Sequence, residues 1–334
     1  MTNIKIGLYI FEIIILFIFL WKIKKYFTKK NNINKIEKCN IYILSNSTGL
    51  LVDQKLICDI LKNFANTPNF YVENFDNNSS SNDYIFVNLD YTNFYQLFYN
   101  ENAPKNILCK NKETLRILSD IFPKNNLIYT GFTSNDIYNP QIQKDYKKFL
   151  HVVGKSPNKG TTQLVKTWNL HPEWPILTII CNNYLGVVDK IYNILNGKIN
   201  NNINLISTFI SENELYKIMN EYGIHICISS YEGFGHTSNE SRSCKAVTMY
   251  TDMPSFQDRF IDGNNGISVK SKQNGNTNQI CPIYISEIQD IEYSVDRIMK
   301  MNENELKNIG NQARYDFLKD DYEFKFRLTN LVKF

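Results

Sequence analysis

The sequence predicts an α/β protein built from two doubly wound domains, with an apolar segment ahead of them. Three observations predict this class. Short β-branched runs, apolar on both faces, recur through the chain. Longer amphipathic stretches separate them. The alternation breaks once, in the polar stretch 131–143, which divides it into two series. A strand apolar on both faces must be covered on both sides, and helices between strands make the sheet parallel.

In chain order, the first series places strands at 41–45, 70–75, 84–89, 106–109 and 127–130, with helices at 50–64 and 112–121. The second places strands at 149–153, 176–181, 203–207, 225–229 and 247–251. Its helices fall at 161–170, 187–195, 212–221 and 237–245, and the chain from about 288 reads as mostly helical. The domains are then 40–145 and 146–334. At 43% hydrophobic and 21% charged, the 334 residues have a globular composition that excludes a disordered or collagen-like chain.

Residues 6–21 are apolar except for Glu12, and Lys22, Lys24, Lys25, Lys29 and Lys30 follow. About 16–18 such residues reach across a bilayer, and no small-residue cleavage site follows them. The expectation for 1–30 is a single transmembrane helix with a basic flank. The lysines after the span predict a cytosolic body. Residues 1–30 carry a net charge of +5 and the remainder −1, so the body lacks the basic footprint of a nucleic-acid partner. Seven cysteines without a Cys-x-x-Cys pair, several inside apolar runs, predict buried thiols in a reducing compartment. Four scattered histidines give no zinc set, and no Asp-x-Asp pair suggests a metal.

Two segments carry the chemistry. Ser229-Ser230-Tyr231-Glu232-Gly233-Phe234-Gly235-His236-Thr237-Ser238-Asn239-Glu240 follows an apolar strand and opens a helix. The glycines let backbone N–H groups approach an anion, and the helix N-terminus adds about half a positive charge. Glu232 and Glu240 suit hydroxyl groups instead. Phosphate and hydroxyls together describe a nucleotide sugar. The second segment, His151 to Gly160, also joins a strand to a helix. Its Gly154, Lys155 and Lys159 can converge on a diphosphate. A phosphate-binding P-loop needs Gly at 149, where Phe149 stands. Asn88 and Asp90, at the end of a strand, are candidate acceptor-side groups, with a turn cap as the simpler reading. His151, His171 and His225 read as structural, and His236 as able to face the donor.

Together the segments resemble the nucleotide-binding half of GT-B glycosyltransferases of the retaining family 4, or group 1. That family carries a Gly-Arg/Lys…Lys-Gly turn and, about 80 residues later, Glu-Gly-Phe-Gly with a second Glu after seven intervening residues. Gly154-Lys155…Lys159-Gly160 and Glu232-Gly233-Phe234-Gly235…Glu240 match it. Leu127 to Asp136 resembles the segment before the family's hinge, and 262–266 its turn ahead of a short strand. Three positions depart from the family. The first domain is short, its glycine-rich turn is reduced to Ser45-Asn46-Ser47-Thr48-Gly49, and Lys245 stands where Gly is usual.

The resemblance implies the fold, a hexosyl transferase activity with retention, and a role for each matched residue. Lys155 and Lys159 would hold the donor diphosphate, with Lys159 and Glu232 at the reaction centre. Glu232 would meet the donor sugar. Gly233, Phe234, Gly235, His236 and Thr237 would line the donor site, and Glu240 would bind the ribose. No metal or cofactor beyond the nucleotide-sugar co-substrate is expected. The acceptor would be a glycan, lipid or protein. The alternatives are a GT-B epimerase or glycosidase, and a non-catalytic membrane-tethered scaffold derived from a transferase.

Overall fold

Two parallel sheets carry the chain. The computed structural model describes residues 40–43, 48–62, 69–72, 83–90, 92, 94, 103–154, 156–182, 186–277 and 280–331. The expected membrane anchor at 1–30 lies outside the described residues. Among the described residues, no helix is long and apolar enough to cross a membrane.

The first sheet contains β1 (Asn40–Ile43), β2 (Asn69–Val72), β3 (Tyr84–Phe86), β4 (Asn106–Cys109) and β5 (Asn126–Tyr129), in the order β2-β1-β3-β4-β5, all parallel. Alternate residues point to opposite faces, as strand geometry requires. Ile41, Phe86 and Leu108 meet Leu50, Ile57 and Leu61 of α1 (Thr48–Leu61). Tyr42, Ile85, Ile107 and Cys109 meet Ile117 and Leu118 of α2 (Lys112–Ile121). α2 starts where Asn111 Oδ1 accepts the Thr114 N–H at 2.8 Å, an ordinary N-cap.

The second sheet contains β6 (Asp145–Gly154), β7 (Leu177–Cys181), β8 (Ile203–Ile206), β9 (Tyr222–Cys227), β10 (Val247–Thr251) and β11 (Ile267–Val269). Its order, β11-β10-β9-β6-β7-β8, is the dinucleotide-fold order, again all parallel. Helices α3 (Thr161–Leu170), α4 (Val187–Ile194), α5 (Glu212–Glu221), α6 (His236–Ser243) and α7 (Ile288–Lys300) cover it. Trp168 sits at the centre of one face, edge-on to Phe149 and Trp174, and its indole N–H donates to the Pro175 carbonyl at 2.9 Å. The long α8 (Glu303–Leu331) packs Leu306 and Ile309 into this core and Phe324 and Leu328 into the core of the first sheet.

Three differences from the sequence reading have physical causes. β6 begins four residues early because its exposed Lys147 lies outside the apolar run. β9 follows α5 without a loop. There Lys144 Nζ donates to the carbonyls of Met219, Asn220 and Tyr222 at 3.2, 2.6 and 3.0 Å, which satisfies the helix end. The antiparallel hairpin β12 (Lys272–Asn276) and β13 (Pro282–Ile285) was not anticipated, because β12 is polar and exposed throughout. Lys245 has a φ of 62°, in the left-handed region that favours glycine.

His171 stacks on Trp174 at 4.1 Å, and its ring nitrogens lie 3.0 Å from Glu173 and 2.9 Å from Glu292. Burial alone would lower its pKa, but the two carboxylates outweigh burial and raise it. A pKa raised on folding stabilises fully below the unfolded value of about 6.5 and loses that contribution as pH rises through the folded one. Urea midpoints of the unaltered chain should therefore fall between pH 6 and pH 8 by more than those of His171→Gln.

Candidate active site

The strand order of the second sheet reverses between β6 and β9. Loops leaving two strands at such a reversal diverge and open a crevice at the carboxyl ends. The loop after β6 brings Lys159, and the loop after β9 brings Glu232. The Ser230 N–H donates to the Asn158 carbonyl at 2.8 Å and ties the two loops together. Gly160 makes this approach possible. Its φ is 70°, and a Cβ there would stand 2.2 Å from the Ile228 carbonyl oxygen.

Lys159 and Glu232 form an ion pair, and Ser229 Oγ donates to the same carboxylate oxygen at 2.6 Å. Burial works against the Lys159 charge, but Glu232 outweighs it and holds the ammonium above its ordinary pKa. Glu240 lies on α6; its carbonyl accepts from Ser243 Oγ at 2.8 Å, whereas its carboxylate makes no hydrogen bond or ion pair with the described residues. Burial raises its pKa. α3 and α6 both begin after a glycine, Gly160 and Gly235, with no side chain capping the first turn. Their N-terminal N–H groups are left to whatever enters the crevice. Thr237 lies in that first turn of α6, half-buried. Gly154 ends β6 with a φ of 61°. Lys155 lies outside the described residues.

The rest of the motif faces the first sheet. Phe234 is buried in that sheet's core, edge-on to Phe132 at 5.1 Å. His236 Nε2 lies 2.7 Å from Asp53 Oδ1, and Asp53 also pairs with the buried Lys110. Burial pushes the Asp53 carboxyl up, but Lys110 and His236 outweigh it and hold it below the usual range. The buried Arg259 donates to the Phe234 carbonyl, with its guanidinium 4.3 Å from the Phe234 ring centroid. Burial brings Arg259 down to about 10. Asp90 approaches Glu232 from the first sheet. Burial and the Glu232 charge raise Asp90 to about 6, against the pull of the Gly233 N–H. Below Glu232 lies a cavity of about 10 Å³ bounded in part by Leu89, Ser255, Cys281 and Tyr284.

The structure thus brings Lys159, Glu232, Gly233, Phe234, Gly235 and His236 together. His236 turns to Asp53. The structural readings of the other histidines hold. His151 bonds the Ile226 carbonyl and Thr161 Oγ1 and is lowered by burial to about 4. Burial takes His225 to about 3. Asp53, Lys110, Asn111 and Arg259 were not singled out in the sequence. Each stands next to another polar residue in the sequence, and only the fold shows its partner.

The segment 133–279 matches the model of the family described as glycosyl transferases group 1. Among solved structures, TarM of S. aureus superposes with a TM-score of 0.60 at 16% identity, over 78% of this chain and 51% of that one. A glycosyltransferase from Rickettsia africae gives 0.58 at 14% identity, over 86% and 82%. The pneumococcal O-GlcNAc transferase GtfA, solved with UDP and GlcNAc, gives 0.57 at 16% identity, over 92% and 58%. The chain spans about half the length of TarM. No curated protein matches it in sequence. The paired parallel sheets and the crevice define the GT-B glycosyltransferase fold. The resemblance to the group 1 family read in Glu232 to Glu240 holds, carried by the family match over 133–279.

Lys110 is 1% exposed and has Asp53 as its ion-pair partner. Removing one member of a buried pair costs about 3–5 kcal/mol, because the other charge stays buried. Asp53→Asn should lower unfolding stability by about that amount in urea titrations, whereas Asp59→Asn, at an exposed pair, should change it by less than about 1 kcal/mol.

Proposed function

We propose that the protein transfers a sugar from a nucleotide-sugar donor to an acceptor hydroxyl. The observation that carries this reading is the crevice between β6 and β9. One lysine, two uncapped helix N-termini and two carboxyls, Glu232 and the unpaired Glu240, converge there. A diphosphate suits the lysine and the helix ends. Sugar and ribose hydroxyls suit the carboxylates. Lys159, with Lys155 from the same loop, would neutralise the diphosphate as it leaves. Glu232 would orient the donor sugar, and Glu240 the ribose. The acceptor oxygen forms a bond to the anomeric carbon as the bond to phosphate breaks, and the departing phosphate accepts the acceptor's proton. This same-face exchange retains configuration and needs no metal.

TarM has been solved with UDP and GtfA with UDP and GlcNAc, which puts uridine donors first among those to try. We further propose that residues 1–30 anchor the chain in a membrane with its body in the cytosol. The acceptor would then be a glycan, lipid-linked or protein-linked, near that surface.

A second reading has one observation in its favour. Lys159 is already committed to Glu232, beside a cavity of about 10 Å³. A tethered scaffold derived from a transferase would keep such a pair closed and release no product.

The test uses the full chain and a panel of nucleotide sugars, with Glu240→Ala alongside. The transferase reading expects release of nucleoside diphosphate from one donor and thermal stabilisation by it, both lost in the variant. Donor at 100 times its Kd adds about 2.7 kcal/mol. A folded chain that no donor stabilises would leave the scaffold reading standing. A pH series adds a second check. Ribose hydroxyls donate to an ionised Glu240, and its pKa is raised. Donor affinity should therefore weaken as pH falls, with a midpoint above that of an ordinary glutamate, and Glu240→Gln should abolish that dependence.

A further inference from the structure

Gly233 belongs to the second sheet's loop, yet the first sheet encloses its backbone. Its carbonyl accepts from Asn111 Nδ2 at 2.8 Å. Its N–H faces the Asp90 carboxyl. On its remaining side stands Asn88, and a Cβ on Gly233 would come 1.7 Å from Asn88 Oδ1 and 2.7 Å from Cγ. Real contacts are never that short, so the fit requires glycine for space alone. The Gly233 φ lies outside the left-handed region.

The three enclosing groups are fixed before they meet Gly233. Asn88 Oδ1 accepts the Asp90 N–H at 3.0 Å, and the Asn88 N–H donates to Thr92 Oγ1 at 2.8 Å. The turn 88–90 is thereby locked. Asn111 Oδ1 is taken by the N–H and hydroxyl of Thr114, both at 2.8 Å, so the start of α2 aims its Nδ2 at the loop. Asn88 and Asp90 follow β3, which lies beside β1 where the strand order of the first sheet reverses. The two reversals therefore meet at one peptide, and that peptide begins at Glu232.

We propose that Asn88, Asp90 and Asn111 are positioning residues that hold the Glu232–Gly233 peptide from the opposite sheet. The half expected to receive the acceptor then supplies the geometry of the donor loop. The Lys159 backbone keeps its place without that grip, because the neighbouring Asn158 is tied to Ser230 and Gly160 packs against Ile228, and Glu240 keeps its place on α6. Losing the grip misplaces Glu232 and leaves the nucleotide contacts intact. The role of Glu232 in this inference rests on the proposed transferase activity. The grip itself does not.

The experiment is a double-variant cycle on the full chain with Gly233→Ala, Asn88→Ala and the two combined. Donor turnover is split into kcat and KM, nucleoside diphosphate affinity is measured separately, and unfolding in urea is measured without any ligand. Gly233→Ala should lower kcat/KM by roughly 10–100-fold while changing nucleoside diphosphate affinity by less than about threefold. Asn88→Ala should be harmful alone and helpful beside Gly233→Ala, both in kcat/KM and in the urea midpoint, because it removes the atoms the new methyl meets. Asn111→Ser keeps an N-cap acceptor for α2 but cannot reach the Gly233 carbonyl, so it should lower kcat with little loss of stability.

Additive effects of the two substitutions in both readouts would overturn the proposal, as would a Gly233→Ala chain with unaltered kcat/KM. If the unaltered chain turns over no donor, the transferase reading fails, and the urea cycle alone decides the grip. Sign reversal of Asn88→Ala there upholds it, and additivity overturns it.

Discussion

A parallel sheet that winds outward in both directions must reverse its strand order once, and only there do the loops part. Both sheets obey this constraint, at β1 and β3 in the first and at β6 and β9 in the second. The placement of chemistry follows from it. Asn88 and Asp90 leave the first reversal, and Lys159 and Glu232 stand at the second. The glycines, helix starts and buried ion pairs around them serve to bring these two points together. Gly160 lets one loop lie against β9, and Gly233 lets the other lie against Asn88.

The charges at this meeting are unequal. Three carboxyls, Asp90, Glu232 and Glu240, face Lys159, and Asp90 also feels the charge of Lys110. Two of the three are relieved by raised pKa values, Asp90 to about 6 and Glu240 upward through burial. The positive ends of α3 and α6 supply the rest of the balance without a side chain. Such a site offers an anion backbone N–H groups as much as lysine, and it offers carboxyls to hydroxyl groups besides. Behind it, Lys110, Asp53 and His236 join the two sheets through a chain of polar contacts. Replacing such a buried pair whole with apolar side chains is often neutral or stabilising, whereas removing one member is costly.

Much of this was legible before the fold was seen. The strands at 106–109 and 247–251 and the helices at 112–121, 161–170 and 212–221 fall where apolar spacing places them. The segments containing Lys159 and Glu232 could be read because each combines glycine, charge and a strand-to-helix junction within a dozen residues. What stayed hidden is of two kinds. β12 carries no apolar signal, since it is exposed throughout. Asp53 and Asn111 act through partners 183 and 122 residues away, His236 and Gly233, and no local pattern encodes such a distance. His236 stands beside the crevice residues in sequence, and no local pattern gives its Nε2 partner, Asp53. Its actual partner is set by α1 of the other sheet.

One packing detail also has a consequence for how the chain reaches this state. Phe324 and Leu328 complete the core begun by Ile41, Leu50 and Phe86. The first sheet, although synthesised first, therefore keeps an open apolar seam until Phe324 and Leu328, at least 238 positions after Phe86, have left the ribosome. Closing that seam is a late, long-range event, with a large loop-entropy cost to overcome. During synthesis the early half is the part that a chaperone would have reason to hold. The second sheet can gather its own core in the meantime.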